Sequence, residues 1–182
     1  MKNFAPHVSR AHSRLLSLVV AAVCASWAVA AGAQAGRGWA WQNPLPQGNA
    51  IQAVRFAADK RHGWAVGADG VILRTDDGGF SWESQKSPAT TTLYGLHVRD
   101  KSAAVAVGSR GMILTTTNGG DRWEKRETGT QEHFFGVAFV DAAHGWAVGS
   151  HGVVVATKDG GRTWGAQASG VRAHLYSVAF AD

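Results

Sequence analysis

The stretch RTDDGGFSWE, Arg74 to Glu83, sets two adjacent carboxylates, Asp76 and Asp77, beside a glycine pair and a tryptophan. Paired acids in a loop suit a hard cation or general acid–base work on a sugar. Sialidase chemistry would need clamping arginines, a nucleophilic tyrosine paired with an acid, and a further acid for proton transfer. Tyr94 and Tyr176, with Arg55, Arg74, Arg99, Arg110 and Arg172, are of the right types. His62, His97, His133, His144, His151 and His174 raise the question of a metal site.

Recurrence decides between chemistry and architecture. Trp82, Trp123 and Trp164 stand 41 residues apart, in phase with Trp41. Asp77, Asn118 and Asp159 keep the same interval, as do Gly79, Gly120 and Gly161. The aligned units read GWAVGADGVILRTDDGGFSWE, AVAVGSRGMILTTTNGGDRWE and GWAVGSHGVVVATKDGGRTWG. Asn118 replaces the acid in the second copy, and Arg122 stands where Ser81 and Thr163 carry hydroxyls. An amide is a poor stand-in for a nucleophile, a proton donor or a hard-metal ligand. Its oxygen still accepts backbone N–H groups, so the acid is expected to cap its own turn. Tyr94 and Tyr176 share a repeat position with Phe135 and read as core aromatics. His62 and His144 are repeat-equivalent turn residues; His97, His133, His151 and His174 read as unrelated positions without ligand spacing. No metal, cofactor or catalytic residue is expected. The five arginines break the repeat and are the candidates for a partner-binding surface.

The elements around these turns form a period. Each unit reads as four short strands: LYGLHVRD, recurring as FFGVAFVD and LYSVAFAD, then WAVG, then VVVAT, then a strand starting at the tryptophan. Glycines fall where reversals need positive φ. Apolar residues succeed one another in GVVVAT and GVILRT, so both faces of each sheet must be covered. Four strands in about 40 to 45 residues is the blade of a β-propeller. The expectation is an all-β, partial propeller over residues 36–182. Residues 38–50 supply a fourth strand, 51–92, 93–133 and 134–174 form three blades, and 175–182 form the first strand of a fourth. That ring is incomplete, which predicts either a longer parent protein or self-association through exposed blade edges.

The first 35 residues do not fit the repeat. Lys2, Arg10 and Arg14 precede an apolar run from Leu15 to Ala30, and small residues follow at Ala33 and Ala35. This is the pattern of a secretory signal peptide cut after Ala35, leaving a periplasmic or secreted chain with no stable membrane span. Cys24, the only cysteine, leaves with it. The mature chain keeps 15 Lys+Arg against 13 Asp+Glu, a balance that makes no case for nucleic acid.

RTDDGGFSW and ATKDGGRTW resemble the Asp-box, or bacterial neuraminidase repeat. With LPQGN, GWAVG and the 41-residue period, the chain from Trp41 to Asp182 resembles the photosystem II stability/assembly factor family. The resemblance implies an exported propeller that acts as a non-catalytic platform for another protein. In phototrophs that partner is a newly made reaction-centre protein. The resemblance also implies that Gly79, Ser81, Trp82, Gly120, Trp123, Gly161, Thr163 and Trp164 serve the turns. The alternative is a glycosidase-like or glycan-binding Asp-box protein whose active-site half lies outside this chain.

Overall fold

A computed structural model describes residues 48–180. The signal segment and most of the 38–50 strand, Trp41 included, lie outside the described residues.

Three four-stranded antiparallel sheets follow one another along the chain. The first holds β1 (Ile51–Phe56), β2 (Gly63–Gly67), β3 (Ile72–Thr75) and β4 (Glu83–Ser84). The second holds β5 (Leu93–Val98), β6 (Ala104–Gly108), β7 (Ile113–Thr116) and β8 (Glu124–Arg126). The third holds β9 (Phe134–Phe139), β10 (Gly145–Gly149), β11 (Val154–Thr157) and β12 (Gly165–Ala166). Each sheet pairs its strands in sequence order, and together they form part of a β-propeller.

The successive apolar residues have the expected cause. Alternate residues of β6 serve different neighbours. Ala104 and Ala106 pack with Trp64, Val66 and Ile72 of the first sheet. Val105 and Val107 pack with Phe134, Ala147 and Val155 of the third. A one-residue slip would exchange these two sets, so the register is strongly fixed. Each large side chain buried in this way contributes roughly 1.5–3 kcal/mol. Outer strands of only two or three residues leave little edge for unwanted pairing.

Close approach explains particular glycines. A Cβ on Gly95 would come within 2.9 Å of the Phe135 carbonyl oxygen, and one on Gly136 within 3.0 Å of Ser177 Cα. The inner strands of neighbouring sheets therefore meet where a side chain is missing. The β2–β3, β6–β7 and β10–β11 reversals place Asp69, Arg110 and His151 at φ of 54°, 55° and 52°, each followed by a glycine also at positive φ.

Two local readings need adjustment. The fourth strand begins just after the tryptophan, at Glu83, rather than on it. Leu175–Phe180 runs beside β9 but carries no sheet ladder, because no second strand pairs with it among the described residues. Its anchors are the Leu175 N–H, which donates to the Gly149 carbonyl at 2.9 Å, and Phe180, whose ring lies 4.9 Å from Trp146.

Candidate functional site

The paired acids that suggested chemistry are part of a turn built three times. Thr75 Oγ1 donates to Asp77 Oδ1 at 2.8 Å and accepts the Gly79 N–H at 2.8 Å. Asp77 also accepts the Ser81 N–H at 2.9 Å and the Ser81 hydroxyl at 2.6 Å. Asp159 repeats these bonds with Thr157 and Thr163. Asn118 keeps the bonds from Thr116 and from the Arg122 N–H, at 3.0 and 3.1 Å, and lacks only the hydroxyl bond. The Ser81 hydroxyl, then the Ser81 N–H and the Thr75 hydroxyl, hold the Asp77 carboxyl well below the usual carboxylate range. Thr163 does the same to Asp159. Trp123 and Trp164 are buried over their turns, and Trp82 is half-buried. The threonine two residues before the acid is the centre of each turn, a role that reading the acid alone had missed.

Asp76 forms an ion pair with Arg74, Nε to Oδ1 at 2.9 Å, although the N–H is not aligned as a hydrogen bond. His62 and His144 sit in equivalent turns beside Asp59 and Asp141, at 2.6 and 2.8 Å. Asp59 falls to about 2, chiefly through the His62 and Arg61 N–H groups. Asp141 falls to about 2, chiefly through the His144 N–H and the His144 ring.

The arginines divide into two sets. Arg74 reaches from the first sheet to the second, donating from Nη1 to the Gly119 carbonyl at 2.6 Å and lying 5.6 Å over the Trp64 ring. Arg99 reaches from the second to the third, donating to the Ala142 carbonyl at 2.9 Å. Both therefore serve joints between sheets. Arg55, Arg110 and Arg172 are exposed. Another joint residue escaped the sequence reading. Gln85 Oε1 accepts the indole N–H of both Trp64 and Trp123 at 3.0 Å, and its Nε2 donates to the Gly119 carbonyl at 2.9 Å.

The inner strands line a groove of about 550 Å³. β1, β5 and β9 each carry a register irregularity, at Gln52, Tyr94 and Phe135. A bulge re-aims its side chain, and these three residues, with Tyr176, line the groove. Tyr94 and Phe135 lie 5.5 Å apart, and Phe135 stacks on Tyr176 at 5.2 Å. Tyr176 is 68% exposed, so the reading of this position as core is corrected. A second level carries Arg55 and His97, which occupy the same register position opposite Trp64 and Val105. Burial, then Arg99 and Arg55, push the His97 pKa down. The lining includes no carboxylate among the described residues.

His133 and His174 lie on the groove's aromatic rim and correct another reading. They are not unrelated but 41 residues apart. Their Nδ1 atoms accept the backbone N–H of Arg110 and His151, at 3.3 and 3.1 Å. His151 is held by Glu132 at 2.8 Å.

Three stacked blades, a repeated hydroxyl-and-acid turn and an aromatic inner groove that holds Arg55 define a partial β-propeller of bacterial-neuraminidase-repeat type. The family model described as photosynthesis system II assembly factor YCF48 matches residues 31–126 and 127–181, and the chain belongs to that family. The chain is 47% identical over 49 residues to the chloroplastic photosystem II stability/assembly factor HCF136 of Cyanidioschyzon merolae (strain NIES-3377 / 10D), covering 26% of this chain and 11% of that protein. It shares the fold of YCF48 from Cyanidioschyzon merolae, with a TM-score of 0.61 and 24% identity over 72% of this chain and 44% of that one. The structure titled YCF48 bound to D1 peptide gives a TM-score of 0.59 and 24% identity, over 68% of this chain and 41% of that one. An ancestral GH74 enzyme shares the fold at 15% identity and a TM-score of 0.55, over 70% of this chain and 20% of that one. The chain thus spans less than half the length of each of these proteins.

Proposed function

We propose that this chain is an exported, non-catalytic scaffold that holds an extended segment of another protein in its inner groove. In a phototrophic host the segment belongs to a photosystem II reaction-centre protein of the D1 type. The observation that carries the reading is the groove itself: Arg55 and His97 on one level, Tyr94, Phe135 and Tyr176 on the other, and no lining carboxylate among the described residues. The Arg55 charge, with no carboxylate opposing it in the lining, favours an acidic segment, and the His97 ring, kept toward its neutral form, offers a hydrogen bond. Aromatic rings at the rim offer flat apolar contact at low entropic cost. Membership of the assembly-factor family and the D1 peptide held by a fold relative support the same reading. Export and cleavage after Ala35 belong to this proposal, so the protein purified from the exported fraction should begin at Gly36.

The test is fluorescence anisotropy with labelled synthetic peptides covering D1, at low salt. Saturable binding of an acidic segment is expected, weakening as salt rises. Arg55→Glu should weaken it roughly tenfold, about 1.4 kcal/mol, without changing the fold. Absence of binding by any peptide, or equal binding by the Arg55→Glu protein, would defeat the reading. One observation favours a glycan instead: the open, stacked faces of Phe135 and Tyr176. Oligosaccharides tested as competitors in the same assay separate the two.

A further inference from the structure

On the capped-turn side, a cleft of about 530 Å³ opens between the second and third sheets. Arg99, Arg126, Arg162, Thr115, Glu124 and Asp159 line it. The matching place between the first and second sheets is filled. There Gln85 lies so close to the turn that a Cβ on Gly120 would run into its amide group. At Gly161 the nearest atom to such a Cβ is Thr115 Cγ2, 3.4 Å away. Three repeat positions differ: Val105 stands where the first joint has Trp64, Thr115 where it has Arg74, and Arg126 where it has Gln85. Arg126 stands 41 positions after Gln85 and turns aside, donating from Nε to Thr115 Oγ1 at 2.8 Å and from Nη2 to Glu124 at 2.7 Å.

The acids of this cleft are already committed. Asp159 accepts from Thr157, the Thr163 N–H and the Thr163 hydroxyl. Glu124 lies between Arg126 and Arg122, at 2.7 and 3.3 Å. Two of the three cations are not. Arg162 is exposed and its guanidinium has no partner among the described residues. Arg99 donates only from Nη1, which leaves its Nη2 without a partner among the described residues. A planar guanidinium suits carboxylate and phosphate geometry.

We propose that this inter-blade cleft binds an oxyanion, a carboxylate or phosphate group held by Arg99 and Arg162 beside Arg126. The site is separate from the inner groove and does not rest on the scaffold reading.

The test is a titration of the full chain with inorganic phosphate, followed by NMR at the Arg Nε–H and Trp Nε1–H resonances. Arg99 Nε–H and Trp164 Nε1–H should shift together and saturate. Arg126→Gln removes one cation of the cleft while keeping a side chain that can still bond Thr115; it should keep the fold and weaken the response. Arg162→Gln, at an exposed position, should weaken binding at least threefold even if the first variant folds poorly. A parallel titration with N-acetyl-glutamate amide identifies the source. A matching response assigns the site to a partner's acidic side chain, and a response to phosphate alone assigns it to a free anion. No saturable shift with either probe, or equal shifts in both variants, would overturn the proposal.

Discussion

Asp77 and Asp159 work by accepting, and their strength depends on charge. Their folded-state pKa values are depressed by hydroxyl and backbone donors. The stability they add is therefore fully present above the unfolded value near 4 and is lost as pH falls toward the folded value. Asn118 performs the same turn without titrating. Asp77→Asn with Asp159→Asn should fold and melt lower than the native chain at pH 7. Between about pH 4 and 2 its melting temperature should fall less steeply than that of the native chain. A parallel pair of melting curves across this range would refute the capping role. The sequence made this role legible because one copy had already replaced the acid by its amide. It did not separate joint arginines from surface ones. Arg74 and Arg99 broke the repeat as Arg55 does, yet each is fastened to the next sheet through Nη1. Departure from the repeat marks a special duty without saying whether the duty faces inward or outward.

At the scale of the element, strand number and turn positions followed from glycine placement and apolar runs, while the groove did not. The residues that line its rim stand at bulges in β1, β5 and β9, and a bulge arises from pairing register, which no single strand declares. The turns offer a contrast that isolates conformation from crowding. Gly111 and Gly129 have nearly the same φ, 69° and 70°. A Cβ on Gly111 would strike the Thr130 carbonyl, whereas nothing lies within 4 Å of one on Gly129. Gly129→Ala should cost roughly 1–2 kcal/mol, the left-handed penalty alone. Gly111→Ala should cost clearly more, by urea denaturation. Equal midpoints would mean that the β6–β7 turn yields freely.

Across the whole molecule, stability is close to a sum of blades and the joints between them. The first joint passes through Gln85, which satisfies two tryptophan N–H groups at once. Gln85→Leu leaves both without an acceptor and should cost about 1–3 kcal/mol. A variant as stable as the native chain would show that water takes over the bond. Val54 and Phe56 on one end face, and Val171 and Phe180 near the other, remain exposed. Faces of that kind invite contact with a further blade or a partner.

The joints share one more property. Gln85, Arg74 and Arg99 start from different positions in the repeat, yet all three end on backbone carbonyls of the neighbouring sheet, at Gly119, Ala142 and Gly160. A carbonyl is present whatever residue occupies the position, so the receiving side cannot lose its acceptor by substitution. A new joint then needs one mutation rather than a matched pair. A duplicated unit can drift in sequence and still find a way to fasten itself, which lets a repeat diverge without a period in which it is loose.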